Sequence, residues 1–147
     1  MTLSERDQQH NWHPYTQHKL AKPAIAITRG EGALLWDENG KEYIDAIASW
    51  WVNPYGHSNR FIADAIHKQL TSLEHVLFGG FTHEPAVLLS EKLMEILPDN
   101  QKKIFYSDNG STAVEVALKV ALQYFYNKGE KRTKIIAFEN AFHGDTF

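Results

Sequence analysis

Apolar and polar positions along the chain fall into three regimes. Up to about residue 30 there is little periodicity, and Pro14 and Pro23 interrupt what there is, so this stretch is expected to be irregular. Residues 33–46, ALLWDENGKEYIDA, hold two short β-prone runs on either side of Asn39-Gly40. Asn-Gly favours the positive φ angles of a tight turn, which predicts strands near 33–37 and 41–46 joined as a hairpin. The next stretch, ASWWVNPYGHSN, is loop-like, with Pro54 and Gly56. Then Phe61, Ile62, Ala65, Ile66, Gln69 and Leu70 recur at helical spacing, predicting a helix over 59–72 capped by Ser58 or Asn59. EHVLFGGFTH breaks the pattern at Gly79-Gly80. A second helix is expected to open at Pro85, to be lined by Val87, Leu88, Leu89, Leu93, Met94 and Ile96, and to stop before Pro98.

From residue 103 the pattern becomes strand, loop, long helix, strand. KIFYS predicts one strand, residues 111–128 a helix ending before Gly129, and TKIIAF (133–138) a second strand. That alternation implies a βαβ unit, hence an α/β protein with a parallel sheet. The helix is apolar nearly all round, which predicts burial on more than one side.

The loop between strand and helix, YSDNGSTAVE, carries candidate chemistry. The first turn of a helix leaves backbone N–H groups without partners, and the helix dipole places partial positive charge there. Gly110 would let the backbone approach an anion, Ser111 and Thr112 add hydroxyls, and Asn109 and Ser107 could complete a phosphate cradle. The plainer alternative is that Asn109 or Ser111 simply caps the helix. No G-x-x-x-x-G-K-[ST] and no G-x-G-x-x-G occurs, so a nucleotide loop is not expected. The segment ENAFHGDTF follows the second predicted strand, at the same carboxyl edge where open α/β sheets bind ligands. There Phe142 could cover a flat ring and His143-Gly144 hold the turn.

Composition narrows the choices. The 147 residues are 43% hydrophobic with net charge -3, which gives no electrostatic footprint for nucleic acid or an anionic membrane. Cysteine is absent, excluding disulfides and thiolate metal sites. His10, His13 and His18 cluster near the start without a metal-ligating motif, so no metal is expected. No apolar run approaches the ~20 residues that span a bilayer, and the N-terminus has no signal-peptide core, which predicts a cytoplasmic protein. The chain closes at Phe147, shortly after His143-Gly144, where a parallel sheet would still need strands. The sequence is therefore expected to be the N-terminal part of a longer protein.

SDNGSTAVEVALK followed by FENAFHGDTF resembles the class III aminotransferases, and GKEYIDAIASWWVNPYGHSN is similar to that family's N-terminal pattern, an aspartate after a hairpin and then Gly-His before a helix. The resemblance implies a partial fold type I scaffold: an N-terminal hairpin segment of the small domain over 1–50, then the start of the large cofactor-binding domain over 51–147. It implies pyridoxal 5'-phosphate as cofactor, with Gly110 and Ser111 on its phosphate, Asn109 and His143 nearby, and Phe142 stacked on its ring. WHPYT (12–16), the double tryptophan of ASWW and HVLFGGFTH (75–83) are similar to the branch of the family that serves biotin biosynthesis. That branch passes an amino group from S-adenosylmethionine to 8-amino-7-oxononanoate. On this likeness Trp50, Tyr15 and Phe142 line the substrate pocket and Trp51 packs behind Trp50. Phe142 stands where that branch usually has Tyr, which keeps the π face for stacking but loses a hydroxyl. It leaves open another ω-amine or amino acid as substrate. The family's Schiff-base lysine, the acidic partner of the pyridinium and the substrate-binding arginine all fall downstream of residue 147. Lys119 and Lys103 are not candidates, so the 147-residue chain alone is expected to be inactive and the complete protein to be a homodimer. VLFGGFTH is the candidate interface segment, or else a glycine hinge. A stand-alone anion-binding module is the non-enzyme alternative.

Overall fold

A computed structural model describes residues 1–146. The chain divides into two compact units, Met1–Leu77 and Phe78–Phe147.

The first unit opens with a helix where irregular chain was expected. α1, Leu3–His10, starts at a capping box. Thr2 accepts from the Glu5 amide at 3.1 Å, and the Glu5 carboxylate accepts from the Thr2 amide at 2.8 Å. A three-stranded antiparallel sheet follows in the order β1 (Ile27–Glu31), β2 (Leu34–Asp37), β3 (Glu42–Ile44). The expected hairpin is β2–β3, in register Leu34↔Ile44 and Trp36↔Glu42. Its turn is longer than a two-residue Asn-Gly turn. The Gly40 amide donates to Asp37 O and the Asp37 amide to Lys41 O, so residues 38–40 form the loop, and only Gly40 takes positive φ (78°). That is a type I turn closed by a left-handed residue, in which one glycine suffices. The Asp37 carboxylate reinforces it by accepting the Asn39 and Lys41 amides and the Tyr43 hydroxyl. β1, with no alternating signal of its own, joins as the third strand.

α2, Ala48–Trp51, is a single turn of the opposite hand. Ala48, Ser49, Trp50 and Trp51 have φ of 47°, 46°, 65° and 70°. Each non-glycine residue held this way costs about 1–2 kcal/mol. α3, Arg60–Leu70, then begins at Asn59, whose side chain accepts from the Ile62 amide at 3.2 Å. Ser58 does not cap it; its hydroxyl donates instead to Gly30 O at 2.6 Å.

The second unit carries α4, Glu84–Met94, and α5, Gly110–Asn127. Pro85 sits in the first turn of α4 as expected, and His83 supplies the cap. The two parallel strands expected at 103–107 and 133–138 do not form; neither segment pairs with another among the described residues. The βαβ unit and its parallel sheet are therefore corrected to an unpaired segment, a long helix and a second unpaired segment. A parallel ladder needs a neighbouring strand supplied from a distance, and none is within reach here. Tyr106 ties residues 103–107 to α4. The Tyr106 hydroxyl lies 2.8 Å from Ser90 Oγ and 3.3 Å from Ala86 O on α4, and its ring meets Phe78 edge-on. Burial of α5 is likewise corrected: none of its residues is fully buried, and Val120 and Tyr126 stand 61% and 78% exposed.

Candidate functional site

The sequence-predicted residues fall into two clusters, one in each unit. In the second unit, Asn109 is the cap of α5: its Oδ1 accepts from the Thr112 amide at 3.0 Å and its Nδ2 donates to Asp108 at 3.2 Å. The plainer expectation for Asn109 is thus met. Ser107 and Thr112 are also engaged within the loop. The Thr112 hydroxyl donates to Asp108 Oδ1 at 2.6 Å, and Ser107 Oγ lies against Thr112 Oγ1. The Thr112 hydroxyl is the main cause that holds the Asp108 carboxyl below the ordinary carboxylate range.

The remainder of the helix start is open. The amides of Gly110 and Ser111 find no acceptor among the described residues. A Cβ built at Gly110 would meet nothing within 4 Å. Ser111 Oγ accepts from the Asp145 amide at 2.9 Å, which leaves its own proton to donate. Gly144, at φ 132°, lies so close that a Cβ there would stand 2.8 Å from Ser111 Cα. Gly144 and Asp145, in the segment that follows the second predicted strand, therefore lie against the start of α5. Phe142 within that segment is 77% exposed, and His143 is exposed as well. Two unpaired amides, a free hydroxyl proton and open space at a glycine are donors suited to a phosphoryl group.

In the first unit, the rings of Tyr15 and Trp50 meet with centroids 5.5 Å apart, tilted by 35°. They are 79% and 63% exposed and form an open aromatic wall. Trp51, expected to pack behind Trp50, is instead 80% exposed. Trp50 and Trp51 both belong to the left-handed turn α2, and a cluster beside that turn escaped the sequence reasoning. Asp45 Oδ2 receives the Ser49 hydroxyl and the His57 Nε2–H, both at 2.7 Å. The nearby Ser49 amide first, then the Ser49 hydroxyl and His57, lower the Asp45 pKa to about 2. The Asp45 side chain is 6% exposed and that of His57 16%. The pattern of a hairpin aspartate and a later Gly-His marked both residues, but 12 positions separate them in the chain and nothing in the sequence paired them.

A family model described as aminotransferase class-III matches residues 15–147. The chain belongs to the class III aminotransferases, enzymes that depend on pyridoxal phosphate, and corresponds to their N-terminal portion. It is 51% identical, over 94% of its length and 32% of the relative's, to the adenosylmethionine-8-amino-7-oxononanoate aminotransferase of Synechococcus elongatus. The crystal structure of the enzyme of the same name from Methanocaldococcus jannaschii superposes with a TM-score of 0.91 at 42% identity, covering 98% of this chain and 34% of that one. The omega transaminase of Pseudomonas jessenii, solved in complex with PMP, superposes with a TM-score of 0.81 at 34% identity, over 88% of this chain and 29% of that one. The chain thus spans about a third of the length of the curated relatives it matches. No helix is long and apolar enough to cross a membrane among the described residues.

Proposed function

We propose that the complete protein is a homodimeric, cytoplasmic fold type I aminotransferase of biotin biosynthesis. It would take an amino group from S-adenosylmethionine and give it to 8-amino-7-oxononanoate, yielding 7,8-diaminononanoate. The observation that carries the cofactor reading is the open start of α5, with Gly110 and Ser111 offering unpaired amides beside the Gly144–Asp145 backbone. There the phosphate of pyridoxal phosphate would accept from the Gly110 and Ser111 amides and from the Ser111 hydroxyl. Asn109 keeps the helix start in shape, Phe142 offers a π face to the pyridine ring, and His143 holds the turn behind it. Bound cofactor supplies an electron sink for moving an amino group. The lysine that carries it is assigned to the part of the protein beyond these residues, so the 147-residue chain alone is inactive. The division at residue 50 belongs to the complete enzyme, whose small domain would take in the first hairpin.

The relatives' shared name and the Tyr15–Trp50 pair support the substrate assignment. Both substrates must be received in one pocket, and apolar contact with flat rings tolerates two shapes better than fixed hydrogen bonds do. Phe142 in place of Tyr favours a second reading, an ω-amine or another amino acid as donor. The test is to add S-adenosylmethionine to the complete protein loaded with pyridoxal phosphate and follow the cofactor's absorption. A shift of the band to that of the amine form is expected. A shift with a simple ω-amine and none with S-adenosylmethionine selects the second reading.

A further inference from the structure

We propose that Asp45 and His57 are positioning residues that hold α2 in its left-handed form and thereby set where Trp50 stands. The inference rests on the reading above, in which Trp50 and Tyr15 wall the substrate pocket.

The anchor of the arrangement is the sheet. Asp45 directly follows β3, and its amide donates to Ala33 O at 2.8 Å, so its backbone continues the ladder. His57 is bound to the same sheet at Gly32, the residue before Ala33. Its amide donates to Gly32 O at 2.8 Å and its carbonyl accepts from the Gly32 amide at 3.1 Å. The fit depends on two glycines. A Cβ at Gly30 would stand 2.9 Å from His57 Cβ, and one at Gly56, where φ is 84°, 3.0 Å from Gly32 Cα. The sheet thus fixes both side chains independently of the turn between them.

From these two fixed points the turn is tied at both ends. Asp45 takes the hydroxyl of Ser49, the second residue of α2, at 2.7 Å. At the far end the Asn53 amide donates to Ala48 O at 3.0 Å, and Asn53 Nδ2 donates to His57 Nδ1 at 3.3 Å. With Nδ1 accepting, Nε2 carries a proton for Asp45, so the cluster is satisfied throughout. Trp50 makes no tie of its own to the cluster and takes its direction from the backbone on either side. A right-handed turn over the same residues would send its side chain elsewhere, because reversing φ and ψ redirects every Cα–Cβ bond.

Serine, histidine and aspartate together also suggest a nucleophilic triad, and the geometry argues against one. The His57 nitrogen that would take a proton from Ser49 points at Asp45 Oδ2, and it lies 3.5 Å from Ser49 Oγ. Ser49 donates to the same carboxylate oxygen. A triad needs the base between nucleophile and acid; here the acid lies between the other two.

Three variants of the complete protein test the proposal. Asp45→Asn keeps the shape and removes the charge. It is expected to raise KM for S-adenosylmethionine roughly tenfold, the scale of one weakened charged hydrogen bond, with kcat and the cofactor spectrum little changed. Adding Ser49→Gly in the same chain removes the cost of positive φ within the turn, so it is expected to recover most of the loss. A direct chemical role for Asp45 would not be rescued this way, and absence of rescue overturns the proposal. Ser49→Ala alone is the milder form and is expected to raise the same KM about threefold; an unchanged KM overturns it too. A crystal structure of Asp45→Asn decides independently of any activity. Residues 48–51 are expected to leave the left-handed region and the Tyr15–Trp50 contact to open, and retention of all four positive φ angles overturns the inference. Should the wild-type protein transaminate no donor, the functional reading fails, and that crystal structure still tests the clasp.

Discussion

The two units answer the same kind of sequence signal differently. Between residues 27 and 44, two short β-prone runs pair as a hairpin and draw in β1 as a third strand, tied by side chains at each end. Between 103 and 138, runs with as much β propensity pair with nothing among the described residues. Propensity does not separate them; the distance to a partner does. β2 meets β3 across a three-residue loop, so closing that loop costs little chain entropy before the ladder repays it. A parallel strand must wait for a crossover and for neighbours far along the chain, and until they arrive its backbone groups are left to water. The sheet also lets the first unit build a side-chain cluster around one nearly enclosed carboxylate, Asp45 with His57, whereas the second unit offers its polar groups outward at a helix start.

The largest expected difference is in amide exchange. In the 147-residue chain alone, amides of β2 are expected to exchange about a hundredfold more slowly than those of residues 133–138, because only the former are held in a ladder. Equal protection of the two, measured by mass spectrometry of peptides, would break the contrast. In the complete protein the contrast is expected to narrow sharply as 133–138 gains partners.

Much of this division was legible in the residues. The hairpin, α3, α4 and α5 follow from periodicity and from Asn59, Pro85 and Asn109 at their starts. α1 was legible too, since Thr2 and Glu5 have capping-box spacing. β1 was not, because Ile27–Glu31 includes Gly30 and becomes a strand only by pairing with β2. The failure at 103–107 and 133–138 is of another kind. Pattern reports what a segment can do when a neighbour exists, and it cannot supply the neighbour. At the site, the open start of α5 was visible in Gly110-Ser111, while the Asp45–His57 clasp was hidden because it is made by the sheet. The left-handed hand of α2 was hidden as well, since Ala-Ser-Trp-Trp has no glycine to announce positive φ.

Next in size is Gly56→Ala. It forces an L-residue to φ 84° and presses a Cβ to 3.0 Å from the Gly32 backbone. A cost of about 2–4 kcal/mol is expected from strain and crowding together. Thermal unfolding of the complete protein measures it, and a midpoint close to wild type would show that the join between His57 and the sheet gives way easily. A pH titration probes the same join more gently. Asp45 has a folded pKa of about 2 against an unfolded value near 3.9, so its contribution is fully present above about pH 4 and is lost as pH falls through 2. The wild-type denaturation midpoint is expected to drop over that window and Asp45→Asn to flatten the drop. An identical acid limb in both would remove Asp45 from the account.

The smallest expected effect on stability falls in the second unit and is the most telling about its role. Gly110 sits at the first position of α5 with ordinary φ and with empty space where a Cβ would go. Gly110→Ala therefore strains nothing, and the cofactor-free protein is expected to keep its thermal midpoint within about 2 °C. Asn109→Ala, by contrast, removes a cap and is expected to cost about 1 kcal/mol. The two substitutions should change places when pyridoxal phosphate is titrated in. The methyl group at 110 fills the space a phosphate would use and is expected to weaken cofactor binding about tenfold, while loss of the cap acts only through the helix. If Gly110→Ala binds cofactor as the wild type does, the open helix start is a turn with room to spare, and the anion seat lies elsewhere.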